Sequence, residues 1–436
     1  MASLQLFPKG ERIKMRSVYS IFIFIYQCGI RIAALFNPKA KRWIDGRKNL
    51  FEELEKQLHS KLKEGEQIVW FHCASLGEFE QGRPVIENLK TKDSGLKILL
   101  TFFSPSGYEV RKNYKHADFI FYLPMDTPAN AKRFVETLPL KAAFFVKYEF
   151  WFNYLHELKN KSVPTYLVSG IFRADQYFFK WYGTWASKQL NAFTHFFLQN
   201  EESKKLLDST GFENTTVSGD TRFDRVYEIA QNKKEFPLIE KFAENAKVLI
   251  LGSSWADDEK MIADCRFQVP GLKIIIAPHE IGKQNIQQVI SRLSPLFAGS
   301  KLRWICGTYS EATPENISDT NMLIIDNIGM LSSLYQYGHV AYIGGGFGDG
   351  IHNILEAATF GLPTIFGPNY KKFNEAIELI DTGGSFAINN TADLEAMVNK
   401  LFNDSSYLRK ASEVSRNYVS AKKGATEIIL NAVKLT

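Results

Sequence analysis

The strongest constraint on the fold is an alternation of short apolar runs with helix-like stretches, which starts at residue 68 and continues past residue 360. In the first half these runs predict strands at Ile68–Ala74, Lys97–Phe102, Phe119–Leu123, Ala142–Val146, Pro164–Val168 and His195–Leu198. In the second half they predict strands at Lys247–Leu251, Leu272–Ala277, Arg303–Cys306, Met322–Ile325, Val340–Gly344 and Pro363–Phe366. Because a helix that connects two strands of one sheet makes them parallel, the pattern predicts an α/β protein with doubly wound parallel sheets.

The length of 436 residues suits two domains of about 150–200 residues each. The break is predicted near 224–246, where the charged run Gln231–Glu235 and Pro237 indicate a linker or an exposed helix. We therefore expect a basic and apolar segment at 1–45, a Rossmann-like domain at 46–230 and a second at 231–436, sharing a cleft. Ligands of such sheets bind outside the carboxyl ends of the strands, so the polar motifs there are candidate sites.

The segment Gly344–Glu356 is the most informative of these motifs. It follows the apolar run Val340–Ile343 and precedes a helical pattern at Ile354–Phe360. Unpaired amides and a helix N-terminus at one point favour a phosphate, and glycines permit a positive-φ turn and close approach of a ligand. The spacing differs from the dinucleotide fingerprint G-x-G-x-x-G. The alternative is a glycine-rich turn without a ligand. The predicted contacts are Gly344, Gly345, Gly346, His352, Asn353 and, for ribose hydroxyls, Glu356.

Two carboxylates follow predicted strands in the first half. Glu78 comes after Ile68–Ala74, where it could accept a proton from a sugar hydroxyl, although the helix dipole alone also favours an acid there. Glu149 follows Ala142–Val146 and could orient an acceptor or a cation, with a structural salt bridge as the equal alternative. Ser104 and Ser106 lie in another strand-to-helix turn, where helix capping explains Ser106 as well as ligand binding does.

Further candidates for contacts with a nucleotide or a phosphate lie after other strands. Ser253 and Ser254 follow Lys247–Leu251, and His279, which could equally be an ordinary turn histidine, follows Leu272–Ala277. Arg222 lies just before the break between the domains, where it could reach an anionic ligand.

The cysteines and histidines show no metal-ligand spacing, so we expect no metal site. Cys28, Cys73, Cys265 and Cys306 are scattered and are expected to be free thiols in a reducing compartment.

The first fifty residues are rich in basic side chains, with Glu11 and Asp45 as the only acids. They surround the apolar segment Ser17–Phe36, which Gln27 and Arg31 interrupt. Such a segment just reaches the length of a membrane-spanning helix. Two alternatives therefore stay open: the segment spans the membrane, or it lies in the membrane interface. Basic residues on the C-terminal flank favour a cytoplasmic body. The sequence thus indicates a membrane-associated cytoplasmic enzyme.

Together these motifs identify a family. The chain resembles the 3-deoxy-D-manno-octulosonic acid (Kdo) transferases of bacterial lipopolysaccharide synthesis. The resemblance runs in order through Ser75-x-Gly77-Glu78, Ser104-Pro105-Ser106-Gly107, Tyr122-Leu123-Pro124-x-Asp126, Glu149-x-Trp151-x-Asn153, Gln199-Asn200-Glu201, Gly219-x-x-Arg222-Phe223-Asp224, Gly344-Gly345 with His352-Asn353-x-Leu355-Glu356, and Gly367-Pro368.

The resemblance implies a GT-B fold and an inverting transfer of Kdo from CMP-Kdo to a phosphorylated lipid A precursor of the lipid IVA type, with no cofactor and no essential metal. It implies that Glu78 is the general base, that Gly344–Glu356 binds CMP and that Glu149 is an acid of the acceptor domain. It also implies a place on the cytoplasmic face of the inner membrane, with the membrane surface as a partner and no nucleic acid.

The chain departs from the family pattern near the expected anionic donor. Ser169-Gly170-Ile171 replaces Asn-Ala-Arg, with Arg173 two places further on, and Ser253-Ser254-Trp255 replaces Ser-Thr-His. Ala277-Pro278-His279 replaces Pro-Arg-His, and Met330 stands where an acid is usual. Two alternatives stay open: another GT-B transferase that uses a UDP-sugar on a lipid acceptor, and a membrane-bound sugar-nucleotide-binding protein without catalysis.

Overall fold

A computed structural model describes residues 9–299 and 305–435. The chain forms two compact units, Met1–Arg225 together with Gly424–Thr436, and Val226–Lys423. The sequence-based division lies at 230/231 and assigns the C-terminal residues to the second domain. The structure divides the chain at 225/226 and assigns Gly424–Thr436 to the first unit.

The first unit is built on a seven-stranded parallel sheet in the order β3-β2-β1-β4-β5-β6-β7. Its strands are β1 (Ile68–Cys73), β2 (Lys97–Phe102), β3 (Phe119–Tyr122), β4 (Leu140–Val146), β5 (Thr165–Gly170), β6 (His195–Leu198) and β7 (Thr215–Val217). The direction of winding reverses between β1 and β4, which are neighbours in the sheet. This is the switch point at which doubly wound sheets bind ligands.

The second unit has a second seven-stranded parallel sheet, in the order β10-β11-β9-β8-β12-β13-β14. Its strands are β8 (Lys247–Ser254), β9 (Leu272–Pro278), β10 (Cys306–Thr308), β11 (Met322–Ile324), β12 (Val340–Ile343), β13 (Thr364–Phe366) and β14 (Ser385–Ala387). The corresponding switch point lies between β8 and β12. The predicted α/β class with two doubly wound sheets is confirmed.

Helices connect these strands. Those before the second sheet are α1 (Lys9–Ala33), α2 (Pro38–Asp45), α3 (Leu50–Lys61), α4 (Leu76–Lys92), α5 (Pro105–Arg111), α6 (Pro128–Thr137), α7 (Phe152–Asn160), α8 (Thr184–Gln189), α9 (Glu201–Asp208), α10 (Thr221–Gln231) and α11 (Pro237–Ala243). Those that follow are α12 (Ala256–Asp264), α13 (Lys283–Gly299), α14 (Leu331–Leu334), α15 (Leu355–Ala358), α16 (Asn374–Thr382), α17 (Thr391–Asn403), α18 (Ser405–Lys422) and α19 (Ala425–Ala432).

The first sheet is buried on both faces. In β1, Trp70 packs with Phe145 and Tyr154 on one face, whereas Phe71 packs with Phe144 on the other. This burial explains why its strands are continuous apolar runs without a polar alternation.

The helix α19 belongs to the first unit, where Ile429 joins the hydrophobic core formed with β1 and β4. Its start is capped by Asp224, which accepts hydrogen bonds from the amide of Gly424 and from the amide and the hydroxyl of Thr426, the latter two at 2.7 Å. A carboxylate at a helix N-terminus satisfies amides that the helix itself leaves unpaired.

The helix α1 is amphipathic, and one of its sides packs against the rest of the first unit. Tyr19 and Ile23 face that unit, and the hydroxyl of Tyr19 donates a hydrogen bond of 2.6 Å to Asp126, which is fully buried. The opposite side exposes large apolar residues: Val18, Ile21, Phe22, Phe24, Ile25 and Ile32. No helix in the described part of the chain has both the length and the apolar character to cross a membrane.

Candidate functional site

The two predicted carboxylates of the first unit follow the two strands at its switch point. Glu78 lies in the first turn of α4, directly after β1, and Glu149 lies between β4 and α7. Burial and then the charges of Glu78 and Glu149 raise the pKa of the buried Cys73 thiol at the end of β1. Both carboxylates therefore lie near the same point of the sheet edge.

Glu78 is positioned by the start of α4. Ser75 is the N-cap residue, and its hydroxyl accepts a hydrogen bond from the amide of Gly77 at 3.2 Å and donates one to the Glu78 carboxylate. Glu78 itself is half-buried. A half-buried carboxylate whose second oxygen stays available can accept a proton from a hydroxyl.

Glu149 belongs to a buried network that the sequence did not predict. The indole Nε1–H of Trp151 lies 2.6 Å from Oε2 of Glu149 and 3.0 Å from Nε2 of His72. Nδ1 of His72 lies 2.9 Å from the hydroxyl of Thr101. These contacts fix Glu149, which keeps 12% of its side-chain surface exposed.

A tyrosine and an arginine lie close to Glu78. The guanidinium of Arg173 donates a hydrogen bond of 3.2 Å to the hydroxyl of Tyr148. Burial raises the pKa of Tyr148, and the charges of Arg173, Glu78 and Arg222 also act on it. Arg173, the arginine displaced from the family pattern, thus places a cation in the region of the candidate base.

Arg222, a predicted donor contact, lies in the first unit and is bound to a buried carboxylate. Its guanidinium contacts Asp220 at 2.8–2.9 Å, and the side-chain amide of Gln81 donates to the same carboxylate at 3.0 and 3.1 Å. The charge of Arg222 and these hydrogen bonds lower the pKa of Asp220 against the opposing effect of burial. The predicted role of Arg222 toward a donor stays a prediction.

Ser104 and Ser106 form the start of α5. Ser104, not Ser106, is the N-cap residue, and its hydroxyl accepts from the amide of Ser106 at 3.3 Å. The two hydroxyls are 2.9 Å apart. Capping thus explains Ser104, while the half-exposed turn still offers hydroxyls at the sheet edge beside β1.

In the second unit, the glycine segment follows β12, as predicted, and the strand order places it at the switch point. Asp258 of α12, which the sequence did not single out, determines its course. One of its carboxylate oxygens accepts from the amides of Gly345 at 3.0 Å and Trp255 at 2.9 Å, and the other accepts from the hydroxyl of Tyr342 at 2.6 Å. Asp258 thereby joins the ends of β8 and β12.

Two glycines of this segment are required for different structural reasons. Gly345 has a φ of +89°, which side chains rarely adopt. At Gly346 a Cβ would lie 2.5 Å from the amide nitrogen of Gly367, so the backbone of this turn packs directly against the loop after β13. The segment is therefore a rigid turn.

Amides of the turn remain available for a ligand. The helix that follows, α15, has only four residues, Leu355–Ala358, so its dipole is smaller than the predicted pattern at 354–360 suggested. In the described part of the chain, the amides of Asn353 and Ile354 have no protein acceptor. Asn353 instead donates through its side chain to Glu356 at 3.2 Å. The predicted anion site thus depends on local amides more than on a helix dipole.

Three aromatic rings meet beside the turn. The ring of His279 stacks between those of Trp255 and His352, with centroid distances of 4.4 Å and 4.7 Å respectively. The indole N–H of Trp255 donates to Nε2 of His352 at 2.9 Å, and burial followed by the neighbouring His279 lowers the pKa of His352 to about 4. His352 is therefore neutral at pH 7, with Nε2 as the acceptor.

The two predicted serines at the end of β8 differ in their surroundings. Ser254 is buried and donates to Glu259 at 3.0 Å, while Arg292 binds the other oxygen of Glu259 at 2.7 Å. Ser253 is half-exposed and has a φ of +53°. Residues held in sparsely populated backbone regions cluster at functional sites, so Ser253 is the better placed of the two for a ligand.

Comparisons with known proteins agree with this geometry. The family model described as 3-deoxy-D-manno-octulosonic-acid transferase (kdotransferase) matches residues 48–225. The transferase of that name from Aquifex aeolicus is 28% identical over 78% of this chain and 87% of its own length. The one from Haemophilus influenzae is 24% identical over 84% and 87%.

Among solved structures, a UDP-GlcNAc 2-epimerase from Neisseria meningitidis matches 84% of this chain and 99% of its own, with a TM-score of 0.59 and 15% identity, which supports the fold alone. With two doubly wound sheets, the fold is of the GT-B class. Fold, ordered motifs and relatives all support the 3-deoxy-D-manno-octulosonic acid transferase family, a family of glycosyltransferases whose model matches residues 48–225 of this chain.

Proposed function

We propose that this protein transfers Kdo from CMP-Kdo to a phosphorylated lipid A precursor of the lipid IVA type, with inversion at the anomeric carbon. The observation that carries this proposal is the pair of switch points, one followed by Glu78 and Glu149 and the other by the glycine turn. The first offers a base for a sugar hydroxyl and the second offers amides for a phosphate. The names of the relatives supply the identity of the sugar.

The proposed reaction is a single displacement. The phosphate of CMP-Kdo binds at the turn around Asn353, and its ribose lies near Glu356. A hydroxyl oxygen of the acceptor attacks the anomeric carbon while its proton passes to Glu78. The bond between that carbon and the phosphate oxygen breaks, and CMP departs with the electron pair. Attack from the face opposite to the leaving group inverts the configuration.

The remaining polar residues have supporting roles in this proposal. Glu149, held by Trp151 and His72, orients the acceptor. Arg173 supplies positive charge near the reacting groups, in place of the family arginine that the chain lacks at residue 171. The amides of the turn are preorganised to stabilise the charge that develops on departing CMP. These roles require no metal or other cofactor.

The first helix is the proposed membrane contact. Its outer side exposes Ile21, Phe22, Phe24 and Ile25, and the following α2 carries several basic residues. An amphipathic helix of this kind inserts its apolar face at the headgroup boundary and gains from anionic lipids. We place the enzyme on the cytoplasmic face of the inner membrane, next to its lipid acceptor.

The deciding experiment uses the purified full-length protein with CMP-Kdo and lipid IVA. We expect the mass of the acceptor, measured by mass spectrometry, to rise by one or more Kdo units, with and without EDTA. No transfer by folded protein would refute the activity. A rate that depends on an added metal ion would refute the metal-free mechanism.

Thermal protection separates the alternatives. We expect CMP to raise the melting temperature and UDP to leave it unchanged. Protection by UDP alone would favour a UDP-sugar transferase, and protection by CMP without any transfer or donor hydrolysis would favour a non-catalytic binding protein.

A further inference from the structure

A large groove in the first unit takes no part in the site described above. It has a volume of about 1200 Å³ and lies between α1, α7 and the segment 177–192. Its walls combine aromatic rings with cationic side chains, including those of Arg16, Lys159, Lys180, Trp181, Trp185 and Lys188. This combination of apolar and cationic surface resembles neither a protein core nor an ordinary polar surface.

The charge of the groove has one sign. Of its described lining residues, four are Arg or Lys and none is Asp or Glu. One of the four, Arg16, forms an ion pair of 3.2 Å with Glu157, a residue that does not line the groove. The groove therefore has a positive potential and is complementary to an anionic partner.

Two aromatic side chains project at the edge of this groove. Trp181 is 90% exposed and Tyr182 is 58% exposed. They are held there by a tight turn, because a Cβ at Gly183 would lie 1.5 Å from the carbonyl oxygen of Tyr177, and because Phe178 is buried in the core. The two rings pack against each other edge-to-face, with centroids 5.5 Å apart. A pair of exposed aromatic rings that ordered backbone holds in water indicates a surface that a membrane or a partner covers.

We infer that this groove and the Trp181–Tyr182 edge bind anionic phospholipids of the bilayer, as a second membrane contact beside α1. Tryptophan and tyrosine concentrate at the membrane interface, where lysine and arginine meet the phosphates. The groove is also continuous with α1, since Arg16 lines it and the ring of Tyr19 lies 6.2 Å from that of Trp185. The inference goes beyond the proposed function and uses from it only the membrane contact of α1.

Two contacts have a physical advantage over one. A single shallow anchor gives marginal and reversible membrane binding, whereas a second attachment makes the binding stable and fixes the orientation of the protein. Both contacts lie in the first unit, so they would set the direction in which its sheet edge faces the membrane.

The test is co-sedimentation of the full-length protein with vesicles that contain no acceptor lipid. One set consists of phosphatidylcholine alone and the other contains phosphatidylglycerol as well. The double variants are Trp181→Ala with Tyr182→Ala, and Lys159→Ala with Lys180→Ala. Matched controls in the second unit are Ile328→Ala, whose side chain is 88% exposed, and Lys410→Ala, which is exposed.

We expect the lysine variant to lose about 30-fold in binding to anionic vesicles and little on phosphatidylcholine, since each cation near such a surface contributes about fivefold. The aromatic variant should lose binding to both vesicle types, and the controls to neither. Equal binding of wild type and both double variants would overturn the inference. So would binding that depends on these residues only when lipid IVA is added, because the groove would then be an acceptor site.

Two further measurements keep the result separate from the proposed function. The melting temperature and its increase with CMP should be unchanged in both double variants, which shows that the fold and the donor site are intact. Vesicle binding needs no catalysis, so a failure to transfer Kdo leaves this inference standing.

Discussion

Nε2 of His72 lies 3.3 Å from Oε2 of Glu149. The imidazole is completely buried in β1, and its other nitrogen contacts the hydroxyl of Thr101, which also accepts a hydrogen bond of 2.8 Å from the indole of Trp70. A chain of buried polar groups thus extends from the centre of the sheet to a carboxylate at its edge. Such networks hold a side chain in one position, because every member already has its partners.

The first prediction concerns this network. His72→Gln should lower the rate of Kdo transfer by on the order of 10- to 100-fold, because Glu149 loses its fixed position. The affinity for CMP should stay unchanged, since His72 belongs to the first unit and the proposed donor turn to the second. Steady-state kinetics and CMP titration check the two parts.

Trp151→Phe is the companion variant, because it replaces the indole with a smaller aromatic ring and removes the N–H that lies 2.6 Å from Glu149. It should reduce the rate in the same direction while keeping a ring in the same space. Wild-type rates in both variants would contradict a positioning role for the network.

The second prediction concerns the candidate base. Glu78→Gln should fold normally and lose on the order of 10²- to 10⁴-fold in transfer rate, the usual contribution of a general base. Glu80→Gln, two residues further along α4, is the matched control, since Glu80 contacts Arg111 at 2.8 Å and should matter little for the rate. If Glu78→Gln retained the wild-type rate, the proton would have to go elsewhere.

The strands were largely predictable from the sequence because they are buried on both faces. β2 and β6 have the predicted boundaries, Lys97–Phe102 and His195–Leu198. The strands β7 and β14 were missed, because each has only three residues at an edge of its sheet and includes polar positions. A run this short has no periodicity to detect.

The N-terminal helices were harder to predict. The apolar segment predicted at Ser17–Phe36 lies in a helix that extends from Lys9 to Ala33. The helices α2 and α3 were not predicted. Asn37 followed by Pro38 is a recognisable start signal, and the side chain of Asn37 does accept hydrogen bonds from the first amides of α2. That signal was present in the sequence.

The site was predictable at the level of its motifs but not of its network. The glycine turn and the two carboxylates follow the predicted strands. Asp258, however, stands beside Asp257 at a helix start, where any acid is favoured by the dipole, and the sequence does not tell which one reaches Gly345. Contacts between distant segments, such as Gln81 with Asp220, depend on tertiary packing alone.

The third prediction concerns the attachment of α1. Tyr19→Phe should lower the free energy of unfolding by about 2 kcal/mol at pH 8, because a buried carboxylate loses a hydrogen bond. Burial raises the pKa of Asp126 from 3.8 to about 6, while the bond from Tyr19 acts to lower it. The destabilisation should therefore be largest well above pH 6, where Asp126 is ionised, and should shrink as the pH falls through 6 toward 5.

Denaturant unfolding at several pH values measures this effect. Tyr26→Phe on the same helix is the control, since Tyr26 is 42% exposed and should show no such dependence. A loss in Tyr19→Phe that is equal at pH 5 and pH 8 would argue against an ionised Asp126 as the acceptor.

The fourth prediction uses two glycines of the same turn. Gly345→Ala should lower stability by about 1–3 kcal/mol and weaken CMP binding, because Gly345 has a φ of +89° and an added Cβ would lie 2.5 Å from the carbonyl oxygen of Gly350. Gly348→Ala should do neither, since its φ is ordinary and the nearest atom to its Cβ would be 3.7 Å away. Thermal unfolding and CMP titration distinguish the two variants. If Gly348→Ala abolished CMP binding while folding normally, the ligand itself would approach that position closely. If both variants bound CMP like the wild type, the turn would not hold the donor phosphate.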